Sequence, residues 1–121
     1  MLVVDDNPVN LKLVSITLRV EGFDVVTASD AEEARAAIAR ELPALILMDI
    51  QLPGTDGLTL TRELRSAAAT RDIPVIALTA YAMKGDEATA LAAGCDAYIS
   101  KPIDTNALPG IVMGIIDRRR M

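Results

Sequence analysis

The sequence predicts an α/β fold: a five-stranded parallel sheet with helices on both faces. Three observations carry this. Short β-branched and aliphatic runs alternate with longer helical stretches along the whole chain. The run Leu45-Ile46-Leu47-Met48 is apolar without interruption, as in a strand covered on both faces. At 121 residues, one domain spanning 1–121 can fold on a single core without a disulfide or metal staple.

Leu2-Val3-Val4 reads as the first strand. Asn7 is placed to cap a helix with Pro8 at its first position, and Gly22 stops that helix after about Glu21. Asp24 to Ala28 is the second strand. Asp30 caps an Ala- and Glu-rich helix that ends near Glu41, before Pro43. The third strand, Leu45 to Met48, ends at Asp49, and Gln51 to Asp56 is a loop. A helix from Gly57 to about Ala68 follows, then a strand from Pro74 to Leu78 that ends at Thr79. Gly85 to Ala93 is a short helix closed by Gly94, and Ala97-Tyr98-Ile99 is the fifth strand. Lys101-Pro102 is a turn, and a last helix runs from about Asp104 to Asp117. Pro109 falls inside that last stretch, so the helix either starts later than Asp104 or is kinked.

Composition narrows the function. The formal charge is −5, and the one basic run, Arg118-Arg119-Arg120, suits a solvated helix end. Direct nucleic-acid binding needs clustered cations and is not expected. No apolar run approaches the ~18 residues of a membrane span. The opening Met-Leu-Val-Val meets acidic residues at once, unlike a secretory leader. With a single cysteine, Cys95, read as a small buried hydrophobe, the expected location is cytoplasmic. The absence of histidine removes His-based catalysis and the usual zinc sites. The first strand is short at its amino end, which leaves room for a few residues ahead of Met1.

In parallel sheets, ligands bind beyond the carboxyl ends of the strands. There the sequence sets Asp5-Asp6, Asp49, Thr79 and Lys101 after the first, third, fourth and fifth strands. Clustered carboxylates repel and raise one another's pKa, which a divalent cation relieves. A set with oxygen donors only calls for a hard ion, Mg²⁺ or Mn²⁺ in its place. Lys101 suits a phosphate as a point charge, and the Thr79 hydroxyl can donate to a phosphoryl oxygen. The set reads as a metal-assisted phosphoryl site with an aspartate as acceptor. Asp6 taken alone could equally cap the next helix.

At these residues the chain resembles the receiver domain of two-component response regulators, the CheY-like superfamily. The matching stretches are Leu2-Val3-Val4-Asp5-Asp6-Asn7, Leu47-Met48-Asp49-Ile50-Gln51-Leu52-Pro53, Leu78-Thr79-Ala80 and Tyr98-Ile99-Ser100-Lys101-Pro102. They stand in family order and cover essentially the whole chain. The segment Tyr81 to Glu87, with Gly94-Cys95, is similar both to DivK-type single-domain regulators and to receivers of hybrid histidine kinases. A single-domain regulator and a receiver excised from a longer protein both stay open. The resemblance implies the flavodoxin-like strand order 2-1-3-4-5.

It also implies roles. Asp49 is the phosphoacceptor, served by a histidine kinase or a histidine phosphotransfer protein. Asp6 binds Mg²⁺ directly and Asp5 through a water, with Asp49 and the backbone carbonyl of Gln51 completing the protein ligands. Lys101 pairs with Asp49 and then with the phosphoryl group. Thr79 and Tyr98 form the switch, and the Lys101–Pro102 bond is cis. Gln51 and Tyr81 flank the approach of the hydrolytic water. A receiver is a signalling switch rather than a turnover enzyme; it repacks its fourth-helix, fifth-strand and fifth-helix surface to regulate a downstream protein.

The first helix carries two apolar stripes, Val9, Leu13, Ile16 and Val20 on one face and Leu11, Val14 and Leu18 nearly opposite. A helix on one sheet needs only one. The family's partner-docking positions match Val9, Asn10, Leu13, Ile16 and Thr17, so the second stripe is assigned to the sheet.

Three rival readings weaken on particular residues. A haloacid-dehalogenase-type phosphatase needs a second Asp two residues past its nucleophile, where Gln51 stands. A receiver-like binding module that acts without phosphorylation does not need the intact Asp5, Asp6, Asp49, Thr79 and Lys101. A nucleotide-binding protein would carry a Gly-rich loop after the first strand, and none follows.

Overall fold

The computed structural model describes residues 1–52, 54, 56–79, 86–101 and 103–119, apart from the side chains of Asp86, Glu87 and Arg119. The expectations for Tyr81, for the Lys101–Pro102 bond and for Arg120 lie outside the described residues.

The first strand lies inside the sheet, not at its edge. Strand β1 (Leu2–Val4) pairs on one side with β2 (Val26–Ala28) and on the other with β3 (Ile46–Asp49). Strands β4 (Val75–Thr79) and β5 (Ala97–Ser100) extend the sheet beyond β3. Every pairing is parallel and the order is β2-β1-β3-β4-β5, as the resemblance implies. The crossovers are α1 (Pro8–Val20), α2 (Ala31–Arg40), α3 (Gly57–Ser66) and α4 (Asp86–Ala92), and α5 (Leu108–Arg119) closes the chain.

Both faces of the sheet are covered, so its strands lack the polar alternation of a one-sided sheet. Val3, Leu47, Ile76 and Leu78 pack with Val14 and Leu18 of α1 and with Leu108, Val112 and Ile115 of α5. Leu2, Val4, Ile46, Met48, Val75 and Ala77 pack on the other face with Ala34 and Ile38 of α2, Leu60 and Leu64 of α3 and Ala90 of α4. Burying one such Leu or Ile contributes about 1.5–3 kcal/mol. Cys95 is buried and free, as its reading as a small hydrophobe expects.

Caps explain most element boundaries. Asn7 accepts from the Val9 and Asn10 backbone N–H groups, with Pro8 in the first turn, where its missing donor costs nothing. Gly22, at φ +93, takes the left-handed turn that ends α1. Asp30 accepts from Glu33 N–H, and the Glu33 carboxylate accepts in return from Ser29 N–H and its hydroxyl.

The last helix resolves the question posed by Pro109. Helix α5 starts at Leu108, so Pro109 lies in its first turn and breaks no internal bond. Asp104 organises the preceding turn: its carboxylate accepts from Asn106 and Ala107 N–H, and its carbonyl from Leu108 N–H. Helix α3 stops at Ser66, two residues earlier than expected. The Thr70 hydroxyl folds back there to donate to the Leu64 carbonyl at 2.6 Å. Strand β2 is shorter than expected and starts at Val26.

Candidate functional site

The parallel order brings the carboxyl ends of β1, β3, β4 and β5 to one edge, with a polar residue at each. Asp5 directly follows β1 and is buried, its Oδ1 accepting from Asn7 N–H at 2.9 Å. Asp49 is the last residue of β3 and is also buried, its Oδ1 accepting from Gln51 N–H at 2.8 Å. Each of these carboxylates thus holds its orientation through the backbone two residues on. Asp6 is exposed at the rim. Carboxylate oxygens of Asp5, Asp6 and Asp49 lie within 4.8 Å of one another.

Lys101 joins the set from beyond β5. Its backbone N–H donates to the Thr79 carbonyl at 2.6 Å, fixing the chain as it leaves the sheet. Its Nζ lies 3.0 Å from Asp49 Oδ2 and 2.9 Å from Asp5 Oδ2. The resemblance implied the first pair; the second was not foreseen. Burial alone would lower the ammonium's pKa, but hydrogen bonding to Asp5 and Asp49 outweighs it, and the group stands above an ordinary lysine. Burial pushes the Asp49 carboxyl above the usual range and the Asp5 charge adds to this, against the Gln51 N–H and Lys101.

Among the described residues, three carboxylates against one ammonium leave a negative pocket built of oxygen donors, which fits a hard divalent cation. Asp5, Asp6 and Asp49 are the side chains that would hold it.

Thr79 ends β4 fully buried, beside Ser100 in the β4–β5 register. Tyr98 stands opposite Ala77 and packs half-buried on the face covered by α2, α3 and α4. On α1, Val9, Leu13, Ile16 and Val20 are exposed while Val14 and Leu18 are buried, which matches the division of the stripes. Asn10 and Thr17 are half-buried, the Thr17 hydroxyl donating to the Leu13 carbonyl.

Gly57 has a part in the site that its place at a helix start did not suggest. A Cβ there would run into the Asp49 carbonyl oxygen and come within 2.8 Å of Ile50 Cα. Only a glycine lets α3 begin this close to the end of β3. The signal was present in the lone glycine opening a helix after Asp56, but its reason is spatial.

Comparison with known proteins agrees with this geometry. The response regulator receiver domain family matches residues 1–113, and the chain belongs to that family. Within it, the chain is 45% identical over 103 residues to the polar-differentiation response regulator DivK of Brucella anthropi, covering 85% of this chain and 84% of that protein. The fold is similar to a putative response regulator from Chloroflexus aurantiacus, with a TM-score of 0.91 and 32% identity over 96% of this chain and 95% of that one. It is also similar to the receiver domain of a sensor histidine kinase from Pseudomonas aeruginosa, solved with a magnesium ion coordinated in the active-site cleft. There the TM-score is 0.87 and the identity 39%, over 96% of this chain and 95% of that one. No helix among the described residues is long and apolar enough to cross a membrane.

Proposed function

We propose that the chain is a phosphoacceptor switch of a two-component phosphorelay. A histidine kinase or a histidine phosphotransfer protein presents a phosphohistidine, and an Asp49 carboxylate oxygen attacks its phosphorus in line. The new P–O bond forms as the P–N bond breaks, and the electron pair leaves on the imidazole nitrogen. The observation that carries this reading is the buried Asp49 carboxylate held beside Asp5, Asp6 and the Lys101 ammonium at one sheet edge.

The residues divide the work. The Gln51 N–H orients Asp49. Lys101 passes from the carboxylate to the phosphoryl oxygens as charge develops there. The Thr79 hydroxyl donates to a phosphoryl oxygen. Asp6 and Asp49 would hold Mg²⁺, or Mn²⁺ in its place, directly, with Asp5 acting through a water and the Gln51 carbonyl completing the set. When bound, the cation would supply charge neutralisation between the carboxylates and the incoming phosphoryl group. The chain catalyses only its own phosphorylation and dephosphorylation and turns over no separate substrate.

Thr79 and Tyr98 relay the new charge to the surface of α4, β5 and α5, which meets a downstream protein. The donor docks on α1 through Val9, Asn10, Leu13, Ile16 and Thr17. The exposure of that apolar stripe supports the assignment. Treatment with acetyl phosphate and Mg²⁺ tests the reaction: one base-labile phosphoryl group should appear, and Asp49→Asn should abolish it. Equal labelling of the variant would remove Asp49 as acceptor.

A further inference from the structure

We propose that Arg65 is a positioning residue that pins the C-terminal end of α4 to the base of the sheet, so that α4 answers phosphorylation by swinging its opposite end. The inference rests on the phosphoacceptor reading above.

Arg65 lies in the last turn of α3, and its guanidinium spends all three nitrogens on neighbours. Nε donates to the Gly94 carbonyl at 2.9 Å, and Nη1 to the Ile73 and Arg71 carbonyls at 2.6 and 3.0 Å. Nη2 meets Asp96 Oδ2 at 2.9 Å, with both side chains about one-fifth exposed. The same Asp96 oxygen accepts from Val75 N–H at 2.9 Å, and Asp96 N–H donates to the Val75 carbonyl at 2.7 Å. One side chain thus ties together α3, the connection into β4, and the turn from α4 to β5. Gly94, at φ +109, lies against the arginine stem, where a Cβ would stand 2.7 Å from Arg65 Cγ. Arginine's rigid planar fork suits several fixed acceptors at once, which a lysine ammonium does not.

Among its described side chains, apolar burial anchors helix α4 only lightly. It is seven residues long, and among its described side chains only Ala90 is buried, with Leu91 46% exposed. An alanine removes little apolar area from water, so burial holds this helix weakly. The pin sits at the Val75 end of β4. The acidic site sits at the Thr79 end, about 13 Å away at ~3.3 Å per residue. The chain runs from Thr79 into the N-terminal end of α4, so a displacement that starts at Thr79 enters the helix at the end far from the pin. The hydrogen bonds of Arg65 go to Gly94, Arg71, Ile73 and Asp96 and not to Asp5, Asp6 or Asp49, so it acts by setting the pivot.

Hydrogen exchange on the full chain, before and after treatment with acetyl phosphate and Mg²⁺, tests this. Arg65→Met keeps the stem and removes the donors. Exchange across residues 88–96 should accelerate at least about tenfold while β1 and β3 stay protected. Labelling of Asp49 by acetyl phosphate should stay unchanged, and the phosphorylation-dependent change in α4 exchange should fall by about half or more. Asp96→Asn keeps an acceptor for Val75 N–H and loses only the charge, so it should give a smaller effect in the same segment. It carries the comparison if Arg65→Met does not fold. Uniform acceleration over the whole sheet, unchanged exchange in α4, or a full phosphorylation response in Arg65→Met would each overturn the pin. Failure of the unsubstituted protein to label would instead overturn the phosphoacceptor reading, while exchange of the unphosphorylated variants would still decide the role of Arg65.

Discussion

The Lys101 ammonium stands as close to Asp5 as to Asp49, at 2.9 and 3.0 Å. One cation therefore serves two buried carboxylates, and Asp5 Oδ2 has no other hydrogen-bond partner among the described residues. Removing the ammonium leaves both acids facing each other. Lys101→Met should destabilise the protein in EDTA by about 3 kcal/mol, the low end for breaking a buried pair, since the ammonium is 14% exposed. Added Mg²⁺ should recover much of the loss. Urea unfolding with and without the ion would measure this, and an equal loss in both conditions would mean that the pocket does not hold a cation.

Burial raises the Asp49 pKa, so the ionised carboxylate is a cost to the folded state. Asp49→Asn should therefore melt at a higher temperature than the unsubstituted protein in EDTA at neutral pH. The sign follows from linkage. The cost is complete above the raised folded pKa, shrinks as pH falls through it, and is gone below the ordinary value of 3.8, where both states are protonated. The variant's advantage should shrink between pH 7 and pH 4. An advantage that grows on acidification would contradict the raised pKa.

Mg²⁺ should raise the melting temperature by mass action, by about 2.7 kcal/mol of stability at a hundredfold excess over Kd. Asp6→Ala should largely abolish the effect, and Asp5→Ala should weaken it less, because only Asp6 is assigned direct contact. Equal losses of affinity in the two variants would remove that division.

Ile16 is 51% exposed, so Ile16→Glu should change stability by no more than about 0.5 kcal/mol. It should slow phosphotransfer from the cognate protein donor about tenfold or more, at 1.4 kcal/mol per decade, and leave labelling by acetyl phosphate unaltered. Slower labelling by both donors with a lowered melting temperature would mean that the stripe is core, and unaltered transfer from the protein donor would place Ile16 outside the docking surface.

Gly57→Ala sets a methyl group against the Asp49 carbonyl. The cost should be about 1–3 kcal/mol, as for overpacking elsewhere, and labelling of Asp49 should slow as its strand end shifts. Denaturation midpoints and initial labelling rates would report the two effects separately. A neutral outcome in both would show that α3 yields without disturbing β3.

The sheet and the acidic edge are legible in the sequence for one reason: Asp5, Asp49 and Thr79 directly follow apolar runs and Lys101 follows one after Ser100, so strand ends locate them without any knowledge of packing. The two stripes of α1 are legible because helical periodicity separates Val9 and Leu13 from Val14 and Leu18. What stays hidden depends on contacts across the chain. Nothing local marks the pairing of Lys101 with Asp5, the approach of Gly57 to Asp49, or the reach of Arg65 to Asp96. The start of α5 was ambiguous because Pro109 excludes an interior position but allows either a late start or a kink. The carboxylate and carbonyl of Asp104 favour the late start.

The central place of β1 has a consequence for synthesis. As the chain is made, β1 must wait for β2 and β3 before both its edges are paired, and Asp5 then waits for Lys101, beyond β5, before its charge is matched. Closing so long a loop costs entropy that local contacts do not offset. A nascent chain that stops short of Lys101 carries Asp49 without its ammonium. The acidic pocket is thus completed late, with β5 and Lys101, and a chain that ends before them leaves Asp5 and Asp49 unmatched.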